Sequence, residues 1–133
     1  MSASLDLVRS IFANWECGDF TSVEWAHPDI ERVFADGPDP GRATGLDGIA
    51  ATFRWWAELW EDLRVGADEF IELGADSILV LGGFTGRGKT SGIEAGQLPT
   101  KTAAVFYIRD GKVTRYVLYW DRDRALADLG LEE

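Results

Sequence analysis

Hydrophobic residues at helical spacing predict two long helices. The first covers about residues 5–17, with Ser4 available as its N-cap and Gly18 as its stop. The second covers about residues 46–63, preceded by Thr44 as a possible cap. The apolar faces consist of Leu5, Val8, Ile11, Phe12 and Trp15 in the first helix, and of Leu46, Ile49, Phe53, Trp56, Trp60 and Leu63 in the second.

Elsewhere the hydrophobic pattern alternates, as expected for strands with one buried face. Five strands are predicted, at residues 29–35, 64–73, 77–89, 100–109 and 112–120. Asp110-Gly111 between two apolar runs predicts a tight hairpin, because a primed turn needs positive φ at both central residues. We therefore expect a mostly antiparallel sheet of about five strands.

The connecting segments complete this outline. A short helix is predicted over residues 20–26, a Pro/Gly loop over 37–45, and a short terminal helix within 122–131 that Asp121 can cap and Gly130 can end. Helices followed by a run of hairpin-connected strands indicate an α+β fold, with the helices packed on one face of a curved sheet. The length of 133 residues fits one domain, residues 1–133.

Composition and charge narrow the range of partners. The formal net charge of −10 disfavours nucleic acid, because phosphate neutralisation dominates that kind of binding. Every apolar run is too short for a membrane span of about 20 residues, and the N-terminal segment lacks the features of a secretion signal, so we expect a cytoplasmic protein. Cys17 is the single cysteine, which excludes an internal disulfide. Six Trp, seven Phe and three Tyr favour a ring-lined pocket in a chain of this size.

One segment matches a nucleotide-binding pattern. Gly83, Gly88, Lys89 and Thr90 satisfy G-x-x-x-x-G-K-[ST], in which backbone amides hold phosphates and a following helix faces the anion. The next residues, SGIEAGQLPTK, contain two glycines and a proline and do not predict a helix. We therefore interpret the glycines as bends in a long strand and expect no nucleotide.

Several short motifs, taken with the element order, resemble a known family. ECGDF at 16–20, HPDI at 27–30, GLDGI at 45–49 and RDGKV at 109–113 resemble the SnoaL-like branch of the nuclear-transport-factor-2-like superfamily. The resemblance implies a cone-shaped α+β domain that binds a small molecule and forms a homodimer through its outer sheet face. It does not imply one activity, because the superfamily includes isomerases, cyclases, epoxide hydrolases, dehydratases and binding domains without catalysis.

The catalytic positions of these relatives carry apolar residues here. Similarity to SnoaL-like cyclases and epoxide hydrolases aligns their final-strand catalytic aspartate with Leu118, and their helix-opening aspartate with Asp121. Similarity to ketosteroid isomerases aligns the tyrosine with Ile11, the base with Phe34 and the protonated acid with Ala104. None of these four apolar side chains exchanges a proton, so the resemblance does not carry over a catalytic mechanism.

Strand alternation predicts which residues would line the cone. Phe34, Ala104 and Leu118 share their side of the sheet with residues two positions away. The predicted ligand pocket consists of Trp15, Phe34, Trp56, Thr102, Ala104, Phe106, Tyr116, Leu118 and Trp120, with Trp55 as the alternative to Trp56. The competing interpretation of each ring is simple core packing.

Four residues remain as catalytic candidates: Asp36, Tyr116, Arg32 and His27. In one hypothesis Asp36, kept ionised by Arg32, abstracts a proton while Tyr116 donates a hydrogen bond to the developing enolate. Turn formation alone accounts for Asp36 and is the favoured interpretation, and His27 next to Pro28 is favoured to bond only backbone. No cluster of residues suggests a metal, and the family chemistry requires no organic cofactor.

Two functions follow from these observations. We expect the chain to bind a small apolar or polycyclic molecule and to act on it as a cofactor-free isomerase, cyclase or hydro-lyase of a carbonyl compound. The alternative is a ligand-binding or regulatory dimerisation domain without catalysis.

Overall fold

The computed structural model of the chain describes residues 3–17, 24–35, 41–74, 76–88 and 101–130, and all structural statements below refer to these residues. They form three helices and six strands. The helices are α1 (Ala3–Glu16), α2 (Gly45–Leu59) and α3 (Arg122–Asp128). The strands are β1 (Ala26–Phe34), β2 (Gly41–Thr44), β3 (Trp60–Gly74), β4 (Ser77–Gly88), β5 (Thr102–Arg109) and β6 (Lys112–Tyr119).

All six strands belong to one curved sheet in the order β2-β1-β6-β5-β4-β3. The pairing of β1 with β6 is parallel, and every other pairing is antiparallel. The predicted α+β class with a mostly antiparallel sheet is therefore confirmed. The strand count is six rather than about five, because part of the predicted 37–45 loop forms β2.

β2 is short and lies at the edge of the sheet. It pairs with β1 through Arg32 and Ala43 and through Phe34 and Gly41. Its sequence, GRAT, has no apolar alternation, so the strand is defined by its pairing with β1, which includes an ion pair between Arg42 and Glu31 at 2.7 Å. The prediction of a loop was wrong for residues 41–44, and residues 36–40 lie outside the described part.

Helix boundaries differ from the prediction where strand pairing takes over. α2 ends at Leu59 rather than near residue 63, because Trp60 pairs with Gly88 and Glu61 pairs with Arg87 at the start of β3. The helix predicted over 20–26 is wrong in its last residues. There Glu24 and Trp25 form a turn and Ala26 begins β1. The remaining residues of that helix lie outside the described part.

Two smaller predictions have opposite outcomes. α1 begins at Ala3, so Ser4 lies inside the first helical turn and not at the N-cap. The hairpin prediction is confirmed: Asp110 has φ 54° and Gly111 has φ 77°. Positive φ at both positions is the geometry of a primed turn, whose twist matches that of β5 and β6.

The two faces of the sheet carry separate hydrophobic clusters. α1 and α2 cover the inner face, where Trp15 packs edge-on against Phe12, Phe53 and Tyr116 at ring-centroid distances of 5.0, 5.5 and 6.0 Å. On the outer face the cluster includes Leu79, Val105, Val117, Tyr119 and, from α3, Ala125. The short helix α3 therefore packs on the face opposite to α1 and α2.

β3 and β4 approach each other closely at Gly82. A Cβ atom built on Gly82 would lie 2.0 Å from the carbonyl oxygen of Gly66 in the neighbouring strand. Arg122, the first residue of α3, donates hydrogen bonds to the carbonyl oxygens of Gly82 (3.1 Å) and Thr102 (3.3 Å). The same guanidinium lies 3.4 Å from Asp68, at a bulge of β3. One side chain thus links α3 to three strands.

Candidate ligand site

The central strands bring most of the predicted pocket residues together on the inner face. Arg32 lies beside Tyr116 and Phe34 beside Leu118 across the parallel pair β1 and β6. Across β5 and β6, Phe106 lies beside Tyr116 and Ala104 beside Leu118. The inner cluster contains Trp15, Phe34, Ala104, Phe106, Tyr116 and Leu118, with Trp120 packed against it.

Of the other predicted lining residues, the structure describes the side chain of Thr102 but not those of the two tryptophans in α2. Thr102, at the start of β5, is buried and pairs with Gly82. The side chains of Trp55 and Trp56 lie outside the description of α2, and their role in a pocket stays a prediction.

A small internal cavity lies between the helices and the sheet. Its volume is about 10 Å³, close to the space occupied by one water molecule. Its walls are formed by Trp15, Phe34, Thr52, Phe53, Val65, Phe84 and Tyr116. The described side chains around this cavity leave space for about one water molecule, so a larger ligand that enters this cavity requires some of them to move.

Tyr116 is the polar residue of the sheet that borders this cavity. Its side chain is 4% exposed and its ring lies 4.9 Å from that of Phe106, centroid to centroid. Among the described residues none forms a hydrogen bond with its hydroxyl group. Burial raises the pKa of Tyr116 far above its usual range, while the nearby Arg32 acts in the opposite direction. The phenol is thus neutral at physiological pH and available as a hydrogen-bond donor.

Arg32 provides positive charge next to this phenol. Its guanidinium carbon lies 4.0 Å above the centre of the Phe34 ring, a cation–π contact. Asp36, the proposed base, lies outside the described residues. The hypothesis that Asp36 and Tyr116 act together stays a prediction.

His27 lies far from this group along the same strand. It stands next to Ala26, which pairs with Val113, whereas Arg32 pairs with Tyr116. Its Nδ1 atom accepts a hydrogen bond from the backbone N–H of Asp29 at 3.0 Å. The structure therefore does not bring His27 and Tyr116 together.

Asp121 occupies the N-cap of α3. Its side chain accepts hydrogen bonds from the backbone N–H groups of Asp123 (3.0 Å) and Arg124 (3.4 Å), which satisfies donors of the first helical turn. Leu118, three residues earlier in the chain, is 2% exposed in the inner cluster. The carboxylate therefore caps the helix, and the position aligned with a catalytic aspartate in relatives is a core leucine.

The motifs quoted for the resemblance lie within one long family match. A family model described as SnoaL-like domain matches residues 8–116. The chain belongs to the SnoaL-like family. None of the curated proteins matches this SnoaL-like chain.

Solved structures share the fold of the SnoaL-like chain over nearly its whole length. An NTF2-like protein of unknown function from Burkholderia pseudomallei has a TM-score of 0.75 and 23% identity, covering 96% of this chain and 97% of that one. TerC, co-crystallised with polyporic acid, has a TM-score of 0.69 and 25% identity, covering 96% and 98%. A putative polyketide cyclase from Xanthomonas campestris has a TM-score of 0.70 and 18% identity, covering 96% of both chains.

Other sequence motifs of the SnoaL-like chain have simpler structural roles. Gly83 and Gly88 belong to β4, so this part of the nucleotide-binding pattern is strand and not loop, while Lys89 and Thr90 lie outside the described part. Across the described ranges no three His, Cys, Asp or Glu side chains group as metal ligands. Within the same ranges no helix has the length and hydropathy needed to span a membrane.

The predicted pocket did not include four residues of the cavity wall: Thr52, Phe53, Val65 and Phe84. Phe84 pairs with Val65 across β3 and β4. Strand alternation from Ile78 and Val80 through Gly82 leads to Phe84, so the pattern that predicted the other lining residues also contained this one. Thr52 precedes Phe53 on the apolar face of α2, and only the helix position shows that it reaches the cavity.

Proposed function

We propose that this SnoaL-like chain binds a small, largely apolar molecule that carries a hydrogen-bond-accepting oxygen. The ligand would occupy the inner face between α1, α2 and the sheet, with its oxygen at Tyr116. The observation that carries the proposal is Tyr116, a residue buried at the cavity wall whose hydroxyl group forms no hydrogen bond with any described residue.

The energetics of burial support this role. Leaving a buried hydroxyl without a partner costs roughly 1–3 kcal/mol, and a ligand oxygen that accepts its hydrogen bond would remove that cost. A single water molecule in the cavity would do the same in the unliganded protein. Small-molecule sites combine an apolar wall with few oriented polar groups, which is the composition of this inner face.

Binding in this cavity requires it to expand. A volume of about 10 Å³ is far below the roughly 300 Å³ at the lower end of small-molecule sites. We expect side chains at the cavity wall, Phe53 and Phe84 among them, to be displaced by the ligand. TerC, which was co-crystallised with polyporic acid, supports ligand binding by a protein of this fold.

Catalysis is a second candidate, favoured by the position of Arg32 beside Tyr116. A neutral phenol and a nearby guanidinium would stabilise negative charge that develops on a carbonyl oxygen during isomerisation or cyclisation. Such a reaction needs a base, and Asp36 is the candidate. Against it, Ile11, Phe34, Ala104 and Leu118 are all buried apolar residues, which favours binding without chemistry.

The proposal is tested by a thermal-shift screen against aromatic polyketides, steroids, terpenoid epoxides and aromatic ketones, with polyporic acid included. A ligand at one hundred times its Kd stabilises the folded state by about 2.7 kcal/mol. For each hit, Kd is measured by tryptophan fluorescence for the wild type and for Tyr116→Phe. We expect a loss of about two- to tenfold in affinity, the value of one hydrogen bond.

Tyr107→Phe provides the matched control. Tyr107 packs in the outer cluster, so removing its hydroxyl group leaves the inner cavity unchanged. The proposal fails if no compound stabilises the protein, or if Tyr116→Phe binds every hit as tightly as the wild type and Tyr107→Phe do.

Assembly and location stay predictions within this proposal. A homodimer through the outer sheet face is supported by the partly buried apolar side chains that surround the outer cluster, among them Val33, Ile71, Leu81 and Tyr107. The expected cytoplasmic location rests on the sequence features given above.

A further inference from the structure

A second, larger depression borders the internal cavity. This groove has a volume of about 280 Å³, near the lower end of the range for small-molecule sites. Its walls are formed by Glu16, Arg64, Gly66, Ala67, Asp68, Gly83 and Phe84. Phe84 also borders the internal cavity, so this aromatic side chain forms part of the wall of both spaces.

The groove has room because its wall includes glycine. A Cβ atom built on Gly66 would meet nothing closer than a carboxylate oxygen of Glu16, at 4.0 Å. A side chain at this position would therefore enter the groove without displacing backbone. The opposite strand contributes Gly83, which pairs with Gly66.

The charged side chains of the groove differ in the hydrogen bonds and ion pairs that they form within the protein. Glu16 accepts a hydrogen bond from the backbone N–H of Ala67 at 3.3 Å, and Asp68 lies 3.4 Å from the guanidinium of Arg122. Arg64 donates one hydrogen bond, to the carbonyl oxygen of Cys17 at 2.7 Å. It forms no ion pair with any described residue, which leaves its positive charge available to an anionic group.

We infer that the ligand site continues past Phe84 into this groove, and that its ligands are aromatic acids. The apolar end with its carbonyl oxygen occupies the inner cavity, and a carboxylate or similar anion binds Arg64. The inference rests on the proposed function, because it extends the same site. The net charge of −10 repels anions in general. Binding of an anionic ligand therefore requires local recognition by Arg64.

The test compares two compounds that share one ring system. Acetylnaphthalene is a neutral aromatic ketone, and acetylnaphthoic acid adds a carboxylate on the distal ring. Kd for both is measured by calorimetry with the wild type and with Arg64→Gln at low ionic strength, where exposed charges are least screened. We expect Arg64→Gln to weaken the acid by about three- to tenfold and to change the ketone by less than about twofold.

Two controls separate local recognition from bulk effects. Arg109→Gln removes the same charge from an exposed position at the last residue of β5, whereas the first residue of that strand, Thr102, pairs with Gly82 next to the groove. We expect Arg109→Gln to leave both affinities unchanged. Gly66→Val fills the groove and should weaken the acid, whereas Gly74→Val changes the same strand where a Cβ meets nothing within 4 Å.

The outcomes distinguish the inference from the function on which it rests. If the ketone and the acid both bind but Arg64→Gln behaves like Arg109→Gln, the groove is not part of the site and only the inference fails. If the ketone binds and the acid does not, the inference is likewise overturned. If neither compound binds and the wider screen yields no ligand, the proposed function fails and the inference fails with it.

Discussion

Replacing Gly82 by alanine should destabilise the protein severely, although it adds only one methyl group. The new Cβ would lie 2.0 Å from the carbonyl oxygen of Gly66 and 3.1 Å from Cα of Ala67, both backbone atoms of β3. Ordinary van der Waals contact begins at 3.4 Å, so the two strands would have to separate by more than an ångström at this point. Backbone hydrogen bonds weaken steeply under such a displacement.

The expected magnitude follows from two contributions. Overpacking in a well-packed region typically costs about 1–3 kcal/mol, and here no flexible side chain can move aside to reduce it. Moving Gly82 also disturbs the 3.1 Å hydrogen bond that its carbonyl oxygen accepts from Arg122. A hydrogen bond to a charged group contributes about 1.5–3 kcal/mol, less where solvent reaches it. We expect a loss of about 3 kcal/mol or more in the free energy of unfolding.

Equilibrium urea unfolding, followed by tryptophan fluorescence and circular dichroism, measures this loss directly. Gly74→Ala is the matched control, because a Cβ at Gly74 meets nothing within 4 Å. It should leave stability within about 1 kcal/mol, since Gly→Ala at a permissive position stabilises slightly. If the free energy of unfolding of Gly82→Ala were within 1 kcal/mol of the wild-type value, the close approach of β3 and β4 would be refuted.

Two further predictions concern the cap of α3 and the buried phenol. Asp121→Ala should lower the free energy of unfolding by about 1 kcal/mol. Asp121→Asn should retain most of this stability, because an asparagine oxygen still accepts the hydrogen bonds of the first turn. If the two variants had the same urea midpoint, a capping role would be excluded. Burial raises the pKa of Tyr116. Burial and the hydrogen bond to Asp128 raise the pKa of Tyr119 to a smaller extent. Above pH 10 the unfolded chain therefore loses protons that the folded chain retains. Stability should therefore be insensitive to these groups below pH 10 and fall as pH rises above it, for Tyr116 by about 1.4 kcal/mol per pH unit. Urea midpoints between pH 8 and pH 11 should fall less steeply for Tyr116→Phe than for the wild type, and parallel curves would contradict the burial of an unpartnered phenol.

Local patterns predicted most of the elements of this fold. Alternation identified the core strands β4, β5 and β6, and the Asp110-Gly111 turn fixed the hairpin between β5 and β6. Alternation also placed Arg32 and Tyr116 on the same face as Phe106. These predictions succeeded because each depends on neighbouring residues and on one buried face.

Features that depend on distant residues could not be predicted in this way. The end of α2 is decided by the pairing of Trp60 with Gly88, which overrides a hydrophobic spacing that suits a helix as far as Leu63. The edge strand β2 exists because Ala43 pairs with Arg32, not because its own sequence favours a strand. The groove at Arg64 likewise arises where α1 meets β3 and β4, and no single segment contains its pattern.

The parallel pairing of β1 with β6 has a consequence for the order in which the molecule can form. β6 lies between β1 and β5, so the first and last of the described strands are neighbours in the sheet. During synthesis β1 and β2 have no contact with the rest of the sheet until β6 has left the ribosome. Contacts between residues so distant in sequence form slowly, because a long loop must close first. The nascent chain therefore exposes the apolar faces of its early elements until β6 has been synthesised, and a chain stopped before β6 leaves its sheet in two unjoined parts.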